Sequence, residues 1–357
     1  MVKKLIGLVI ALGLVFGLVF KDRILGYFSE DTRSVNKSEV KLLFKTPPSY
    51  STLVTTLIDK QVIKNDKDFS KFVKANNIDT NSFAGGKYII FSQTQLNNLV
   101  NGFVKGENGH GNAEVKVNVI FNNCPTIEAM AKNISECISA DSASLVDYIY
   151  DSETLAKYSF TKKQVPALFL PKKREMYYDT EAEEFVAIMA KEFKNFWNDD
   201  RKAKMREQGF NSPSEVATLA SIVYSEQSKD SEEWPIIAKL YLNRLHKGMR
   251  LESDPTFKFC WGDKLKGVER LLYVHRDIDC DYNTYKINGL PPGPIYVVPG
   301  SVIDAVLNPA EVNYLFMCGK PGGGGHNFAV TNAQHERNAS IYRKWLREYQ
   351  KNKRDNG

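Results

Sequence analysis

Residues 212–226 read SPSEVATLASIVYSE, a stretch that predicts a helix ending on a glutamate. Ser212 can cap this helix, Pro213 suits its first turn, and Glu215 completes a capping box with Ser212. The apolar residues within 216–223 recur at helical spacing, which predicts that one face of the helix packs on a core.

The glutamate at the end of this helix, Glu226, is the first candidate for chemistry. It follows Leu219 by seven residues and Val223 by three, so it lies beside the apolar stripe. Partial burial and the negative end of the helix dipole both raise the pKa of such a carboxyl, as a general acid requires. Spacing alone nevertheless favours the plainer interpretation, an exposed glutamate in the last turn.

Segments after this helix hold polar side chains that could contact a ligand. A second helix carries a buried stripe from Ile236 to Leu245, and Asn243 within it either ties down a loop or hydrogen-bonds a substrate. Residues 289–295 read GLPPGPI, which predicts a rigid loop of the kind that often lines a cleft. The aromatic and amide side chains just before it, in residues 282–285, suit sugars, because rings stack on sugar C–H faces while sugar hydroxyls need polar partners.

A run of four glycines, residues 322–325, precedes His326. The run lacks the G-K-[ST] ending of a P-loop, so a hairpin turn that delivers His326 is the better prediction. A histidine in that position is either structural or catalytic, and the sequence leaves both interpretations open.

The first half of the chain predicts small α/β modules. Strands near residues 40–44 and 87–91, with two helices between them, make a βααβ unit. The opening of this unit returns at residue 114 and again leads into a strand and an amphipathic helix, which indicates a repeat or a chance similarity of two βα units. From Thr180 to Arg206 the apolar spacing predicts one amphipathic helix.

The N-terminus predicts attachment to a membrane. Lys3 and Lys4 precede an uncharged apolar run over residues 5–20, which is slightly shorter than the ~20 residues that span a bilayer. Because no small-residue cleavage site follows, an uncleaved signal anchor over residues 1–28 is favoured over a cleaved signal peptide. The N-terminus would then lie in the cytoplasm, and a linker over residues 29–38 would lead to domains outside it or in the periplasm.

Composition narrows the class of protein. The chain has 357 residues, enough for two domains and an appendage, and its 43% hydrophobic and 25% charged content is typical of a globular protein. The net charge of +6 is spread along the chain. It suits a mildly basic surface or attraction to an anionic polymer or lipid, and no nucleic-acid-binding motif accompanies it, so nucleic acid is not expected as a partner.

The five cysteines form neither a C-x-x-C pair nor a cluster with zinc spacing, so no metal site and no cofactor are predicted. In an oxidising compartment Cys260 could pair with Cys280, and Cys124 with Cys137. Spacing alone decides neither pairing.

Taken together, the motifs of the C-terminal half resemble one known family, the endolytic lytic transglycosylases of the YceG-like (MltG) type. The resemblance lies in LASIV-x-x-E (219–226), YLNRL (241–245), GMRL (248–251), DPT (254–256), YNTY (282–285), GLPPGPI (289–295), NP (308–309) and GH-x-F (325–328). It is densest from about residue 211 to residue 335. The anchor and the first βααβ unit are similar to the family more loosely.

The resemblance implies an α+β architecture of three modules that follow one another along the chain. An N-terminal transmembrane helix leads to a small LysM-like βααβ module over residues 39–105. A mixed α/β catalytic domain follows over 112–351, with a helical, lytic-transglycosylase-like core over 211–335. The protein would be a single-pass protein of the bacterial inner membrane with its C-terminal domain outside the cytoplasm. Its implied partners are peptidoglycan glycan strands, penicillin-binding proteins and other wall-elongation or division proteins.

The resemblance also implies a mechanism in which the family's catalytic glutamate corresponds to Glu226. Lytic transglycosylases cleave the MurNAc-β-1,4-GlcNAc bond without water. The acid protonates the leaving oxygen and then, as a base, activates the C6 hydroxyl of the same MurNAc, which leaves a 1,6-anhydro end. One carboxyl thus serves both roles, unlike the pair in an ordinary hydrolase. The matching motifs imply substrate-binding roles for Asn243, Asp254, Thr256, Tyr282, Asn283, Thr284, Tyr285, Pro292 and His326.

Two positions depart from the family pattern. Tyr224 stands where many relatives carry an acidic residue, and Gln227 stands where many carry Thr or Ser, which puts the orientation of the Glu226 carboxyl in question. Two other functions remain as alternatives. One is a non-catalytic glycan-binding scaffold of the wall-synthesis machinery, and the other is a true muramidase that uses water.

Overall fold

A computed structural model describes residues 38–265, 268 and 273–355, and the predicted anchor over residues 1–28 lies outside them. The described chain is mixed α/β and mostly helical, with three two-stranded antiparallel sheets. None of its helices is long and apolar enough to cross a membrane. The described residues divide into two compact units, the first made of 38–119, Ile134–Asp141 and Arg174–Glu181, and the second of Ile120–Asn133, Ser142–Lys173 and the described part of 182–355.

The first unit contains the predicted βααβ order. Its elements are β1 (Glu39–Phe44), α1 (Tyr50–Asp59), α2 (Lys67–Ala75), β2 (Gly86–Phe91), α3 (Leu96–Phe103), β3 (Val117–Val119) and β4 (Arg174–Met176). Strands β1 and β2 pair antiparallel, from Glu39 opposite Phe91 to Phe44 opposite Gly86. Alternate residues of β1 are buried, which is the period-2 pattern of a half-buried strand.

The second unit is built from helices and one hairpin. Its elements are α4 (Ile127–Ser135, which ends just beyond the unit boundary), α5 (Ser142–Tyr150), α6 (Ser152–Lys157), α7 (Ala182–Phe196), α8 (Asp199–Glu207), α9 (Pro213–Glu226), α10 (Trp234–His246), α11 (Asp254–Trp261), α12 (Tyr273–Arg276), α13 (Gly300–Leu307), β5 (Phe316–Gly319), β6 (His326–Ala329) and α14 (Asn332–Asp355). Short 3-10 helices occupy Thr80–Ser82 in the first unit, and Val165–Leu168, Ser231–Glu233 and Gly262–Leu265 in the second.

Helix α9 is the central element of the second unit. Its predicted cap is confirmed, since the Glu215 N–H donates to Ser212 Oγ at 3.3 Å. Every residue from Val216 to Val223 is buried, whereas the sequence predicted burial of one face only. The polar residues tolerate this burial because Thr218 and Ser221 donate their hydroxyls to backbone carbonyls of the preceding turn, both at 2.7 Å.

The single helix predicted from Thr180 to Arg206 is wrong, because two helices occupy this stretch. Helix α7 ends at Phe196 and α8 begins at Asp199. Between them Asn198 adopts an extended backbone conformation, and its side chain accepts a hydrogen bond from the Arg201 N–H at 3.0 Å. An N-cap residue thus interrupts an apolar pattern that is otherwise continuous.

One of the two cysteine pairings that the sequence left open is present. Cys260 and Cys280 form a disulfide across 20 residues, which links α11 to the segment before Asn283. Cys124 and Cys137 do not pair. Cys124 is buried in the second unit, where its Sγ lies 3.4 Å from the Asn133 side-chain amide.

Removing this disulfide should destabilise the second unit. Closing a loop of 20 residues lowers the entropy of the unfolded chain. The Cys260→Ser/Cys280→Ser variant should therefore lose about 3 kcal/mol of unfolding free energy in urea titrations. Wild-type protein in reducing agent is the control and should match the variant. Equal stability of the oxidised wild type and the variant would contradict the role of the disulfide.

Candidate active site

The carboxyl of Glu226 is held through one of its two oxygens. Tyr241, on α10, donates its hydroxyl to Oε1 at 2.8 Å, and Ser253, directly before α11, donates to the same atom at 2.5 Å. The other oxygen, Oε2, accepts no hydrogen bond from the described residues. Three segments of the chain therefore fix the carboxyl while one of its oxygens stays available.

The pKa of Glu226 is raised above its ordinary value, whereas spacing alone favoured an exposed glutamate in the last turn. Burial is the largest cause, and the nearby charge of Asp254 adds to it. The hydrogen bonds from Ser253 and Tyr241, and the proximity of His326, act in the opposite direction because they favour the carboxylate. Burial also raises the pKa of Tyr241, with the charge of Glu226 as a further cause, so this phenol remains a proton donor in its hydrogen bond.

Ser253 occupies the N-cap position of α11 but uses its side chain elsewhere. Its hydroxyl makes no capping hydrogen bond and instead donates to Glu226. Its backbone is fixed by two buried threonines: the Ser253 N–H donates to Thr284 Oγ1 at 2.9 Å, and Thr256 Oγ1 donates to the Ser253 carbonyl at 2.6 Å. Thr256 and Thr284 thus act on the carboxyl indirectly, by positioning Ser253.

Glu226 opens on a polar cavity of about 300 Å³. Three other predicted site residues, Asp254, Tyr285 and His326, line the same cavity. Tyr285 donates its hydroxyl to Asp254 Oδ1 at 2.6 Å, so these two side chains form one wall. A carboxyl with a raised pKa and a free oxygen in a polar cavity has the arrangement of a general acid–base site.

The predicted hairpin that delivers His326 is confirmed. Strands β5 and β6 pair antiparallel, with Gly319 opposite His326. The His326 N–H donates to Glu233 Oε1 at 2.8 Å, and its ring Nδ1 lies 2.7 Å from Glu233 Oε2. A Cβ atom at Gly325 would lie 2.5 Å from Glu233 Oε1, so a side chain there would displace the carboxylate that holds His326.

Glu233 was not indicated by any sequence pattern. It anchors the hairpin as an ionised carboxylate. Burial alone would raise its pKa. The hydrogen bonds from the backbone and side chain of His326 and from Gln227 outweigh burial and bring the pKa below its ordinary value. His326 is therefore held in place by a buried partner rather than by the flexible glycine turn.

Two of the predicted substrate-binding residues are asparagines whose side-chain amides donate hydrogen bonds to backbone carbonyls. Asn243 Nδ2 donates to the carbonyls of Val312 and Tyr314 at 3.0 and 3.1 Å. Asn283 Nδ2 donates to two carbonyls of the segment before it, those of Arg276 and Ile278, at 2.7 and 2.8 Å. Neither residue lines the cavity that contains Glu226.

Tyr282 and Pro292 also lie away from that cavity. The ring of Tyr282 packs on Phe259 with 4.7 Å between the ring centroids. Pro292 belongs to the predicted rigid loop, which is tied to α9 because the Ile295 N–H donates to Ser221 Oγ at 2.9 Å. The loop also passes so close to another segment that a Cβ atom at Gly293 would lie 1.8 Å from the Lys163 carbonyl oxygen.

Gln227, which departs from the family pattern, does not contact the Glu226 carboxyl. Its Oε1 accepts hydrogen bonds from the N–H groups of Lys229 and Asp230 at 3.1 and 3.2 Å, and its Nε2 donates to Glu233 at 3.3 Å. Gln227 therefore shapes the loop after α9, and Tyr241 and Ser253 orient the carboxyl.

Tyr224, the second departure, lines a neighbouring cleft of about 610 Å³. Its hydroxyl donates to Asn123 Oδ1 at 3.0 Å, and its ring centroid lies 5.1 Å from that of Tyr296. Ser225 and Pro255, the sequence neighbours of Glu226 and Asp254, line the same cleft. The two cavities thus share the ends of α9 and α11.

Comparison with known proteins identifies the family. The model of the YceG-like family matches residues 45–341, so the chain belongs to the YceG-like family. It is 27% identical to an endolytic murein transglycosylase of Bacillus subtilis strain 168 over 82% of each chain. It is 22% identical to one of Streptococcus pneumoniae serotype 2, over 80% of this chain and 55% of that protein.

A solved structure of a YceG-like protein from Listeria monocytogenes has the same fold. The two chains superpose with a TM-score of 0.52 at 24% sequence identity, over 85% of this chain and 99% of the other. This likeness supports the fold of the described chain.

The raised pKa of Glu226 predicts a pH-dependent gain in stability on its removal. Below the pKa that Glu226 has in the unfolded chain, its carboxyl is protonated in both the folded and the unfolded state. It then contributes nothing to the pH dependence of the unfolding free energy. Above it the folded protein must bury a charge, so Glu226→Gln should be more stable than wild type at pH 8, and the difference should vanish near pH 4. Urea titrations at both pH values measure this. Glu232→Gln, an exposed glutamate, is the control, and a Glu226→Gln variant less stable than wild type at pH 8 would refute the burial argument.

Proposed function

We propose that the protein is an endolytic peptidoglycan lytic transglycosylase, a lyase that cleaves MurNAc-β-1,4-GlcNAc bonds in nascent glycan strands and leaves 1,6-anhydro-MurNAc ends. Membership of the YceG-like family and the similarity to endolytic murein transglycosylases support this function. The observation that carries the residue assignment is the Glu226 carboxyl, with its raised pKa and one unengaged oxygen in a polar cavity.

In the first step Glu226 acts as a general acid. Its raised pKa keeps the carboxyl protonated at higher pH than an ordinary glutamate. The oxygen not held by Tyr241 and Ser253 is free to carry the proton to the glycosidic oxygen. The C1–O bond then breaks, and positive charge develops on the MurNAc ring.

In the second step the Glu226 carboxylate acts as a base. Tyr241 and Ser253 stabilise the carboxylate because each donates a hydrogen bond to it, and this makes release of the proton feasible in a buried site. The carboxylate accepts the proton of the MurNAc C6 hydroxyl while O6 bonds to C1. The anhydro ring closes and the protonated acid is restored, so the cycle consumes no water.

The surrounding residues suit a polymeric sugar. Asp254, Tyr285 and His326 present polar groups to the cavity, and we assign them direct contacts with the glycan. The neighbouring cleft, lined by Tyr224 and Tyr296, offers rings for a further sugar, which suits cleavage within a strand. Of the other predicted residues, Thr256 and Thr284 position Ser253, whereas Asn243, Tyr282, Asn283 and Pro292 do not line the cavity.

One observation favours a second candidate function, a true muramidase. Asp254 and Glu252 both bring a carboxylate into the cavity of Glu226, and retaining and inverting hydrolases use two such groups. Glu252 is paired with Arg244 at 3.2 Å, which leaves Asp254 as the second group. The hydrogen bond from Tyr285 to Asp254 instead fits a residue that positions substrate.

We further propose the place of the protein in the cell envelope. Residues 1–28 would anchor it in the inner membrane, residues 29–38 would form a linker, and 39–105 would form a LysM-like module that contacts glycan. The catalytic domain, residues 112–351 with its core over 211–335, would lie outside the cytoplasm, beside penicillin-binding proteins and other wall-elongation or division proteins. The Cys260–Cys280 disulfide supports this location, because such bonds persist in oxidising compartments.

Replacing the acid should abolish cleavage. Glu226→Gln keeps an acceptor for Tyr241 and Ser253 but cannot transfer a proton, so the rate of anhydro-muropeptide release from sacculi should fall by at least about 10³-fold. Mass spectrometry of the digest measures this, with Glu232→Gln as the matched charge-removing control. Retained anhydro products from Glu226→Gln would exclude Glu226 as the acid.

Replacing Asp254 separates the two candidate reactions. In a lytic transglycosylase, Asp254→Asn should slow release while the products keep 1,6-anhydro ends, because Asp254 only positions the glycan. In a two-carboxylate hydrolase the same variant should abolish release, and the wild type should yield reducing ends. A wild-type protein that binds sacculi without cleaving them would instead be a scaffold.

A further inference from the structure

The first unit contains a cluster of metal-ligating side chains that is separate from the Glu226 cavity. His110, Glu114 and Asp179 bring one ligand atom each within 4.8 Å of one another. His110 Nδ1 lies 2.5 Å from Asp179 Oδ1 and 3.7 Å from Glu114 Oε2. The residues come from segments far apart in the chain, since 69 residues separate His110 from Asp179.

One oxygen of the cluster is buried without a hydrogen-bond partner. The Glu114 side chain is 0% exposed. Its Oε1 accepts a hydrogen bond from the Tyr178 N–H at 2.9 Å, but its Oε2 accepts none. The 3.7 Å to His110 is too long for a hydrogen bond. Leaving a carboxylate oxygen unsatisfied in a buried site is costly, so this atom needs a partner.

The surroundings of Glu114 and His110 are shaped to hold these side chains. Gly86 has φ +117°, and a Cβ atom there would lie 2.2 to 2.6 Å from the Glu114 carboxyl. The His110 ring stacks on Tyr177 with 4.0 Å between centroids, and Asn108 donates to the Tyr177 hydroxyl at 3.3 Å. The imidazole and the carboxyl are therefore fixed in place by neighbouring residues.

We propose that His110 Nδ1, Glu114 Oε2 and Asp179 Oδ1 bind one divalent transition-metal cation, with Zn²⁺ the best fit and water completing its coordination. An imidazole nitrogen and two carboxylate oxygens are ligands that Zn²⁺ accepts. Tetrahedral bonds of 2.0–2.1 Å place ligand atoms about 3.3 Å apart. The observed separations of 2.5 and 3.7 Å from His110 Nδ1 lie on either side of that value, and all three ligand atoms lie within 4.8 Å of one another, so small side-chain movements would form the site.

The charges of the cluster agree with a bound cation. Glu114 and Asp179 bring two carboxylates together, and the Glu114 side chain is fully buried, so the two negative charges repel each other there. A divalent cation would neutralise both charges. Mg²⁺ and Ca²⁺ are poorer fits, because they prefer six or more oxygen ligands.

Such a cation would cross-link the first unit. Asp179 follows β4, whereas His110 and Glu114 precede β3, so the metal would join the short segment Arg174–Glu181 to the rest of the unit. Its role would be structural, because all three ligands belong to the first unit and Glu226 belongs to the second.

Zinc titration of the full-length protein tests the proposal. Protein stripped with EDTA should bind one Zn²⁺ per chain in calorimetry, with a rise in Tm, whereas Mg²⁺ and Ca²⁺ should leave Tm nearly unchanged. Glu114→Gln and His110→Asn should each weaken Zn²⁺ binding at least tenfold. Glu175→Gln, which removes an exposed carboxyl from β4, is the matched control and should bind as wild type does.

Two results would overturn the proposal: no Zn²⁺ binding by the wild type, or equal affinity of Glu114→Gln and Glu175→Gln. Because Glu114→Gln could fold poorly, Zn K-edge X-ray absorption of the wild-type protein gives a second measurement. A ligand set of nitrogen and oxygen with one imidazole is expected. A sulfur ligand, or two or more imidazoles, would assign the Zn²⁺ to other residues and exclude this site.

Discussion

The proposed chemistry of this protein depends on two hydrogen bonds that converge on one oxygen of Glu226. Tyr241 and Ser253 supply them from the helix after α9 and from the N-terminal end of α11. The surrounding core holds these donors in position. Helix α9 is buried on all sides from Val216 to Val223, and two threonines fix the backbone of Ser253. A carboxyl fixed in this way has one oxygen left for a substrate.

Two opposed effects set the behaviour of this carboxyl. Burial raises its pKa, while the two donated hydrogen bonds favour the ionised form. Either effect alone would suit one half of the proposed reaction, since desolvation favours a proton donor and hydrogen bonding favours a proton acceptor. Both effects act on Glu226, which suits a single residue that serves as acid and then as base. Glu233 shows the opposite balance, because there the hydrogen bonds outweigh burial and keep the carboxylate ionised beneath His326.

The sequence predicted what depends on local pattern and missed what depends on distant pairs. The cap of α9, the βααβ order and the hairpin before His326 follow from residues close together in the chain. The partners of Glu226 lie 15 and 27 residues away, and His326 lies 93 residues from Glu233, so no periodicity links them. The sequence also did not indicate Ser253 as a partner of Glu226, because a serine before Asp-Pro-Thr is typical of a helix cap. The family motifs pointed to Asn243 and Asn283, whose contacts here are to backbone carbonyls.

In the proposed mechanism the C6 hydroxyl of the substrate, and not water, completes the reaction at Glu226. Digestion of sacculi in water enriched in ¹⁸O tests it most directly, because only a hydrolase transfers a solvent oxygen to the new sugar end. The MurNAc ends released by the protein should carry no ¹⁸O and should have the mass of the 1,6-anhydro form. Incorporation of one ¹⁸O atom into each new reducing end would contradict it.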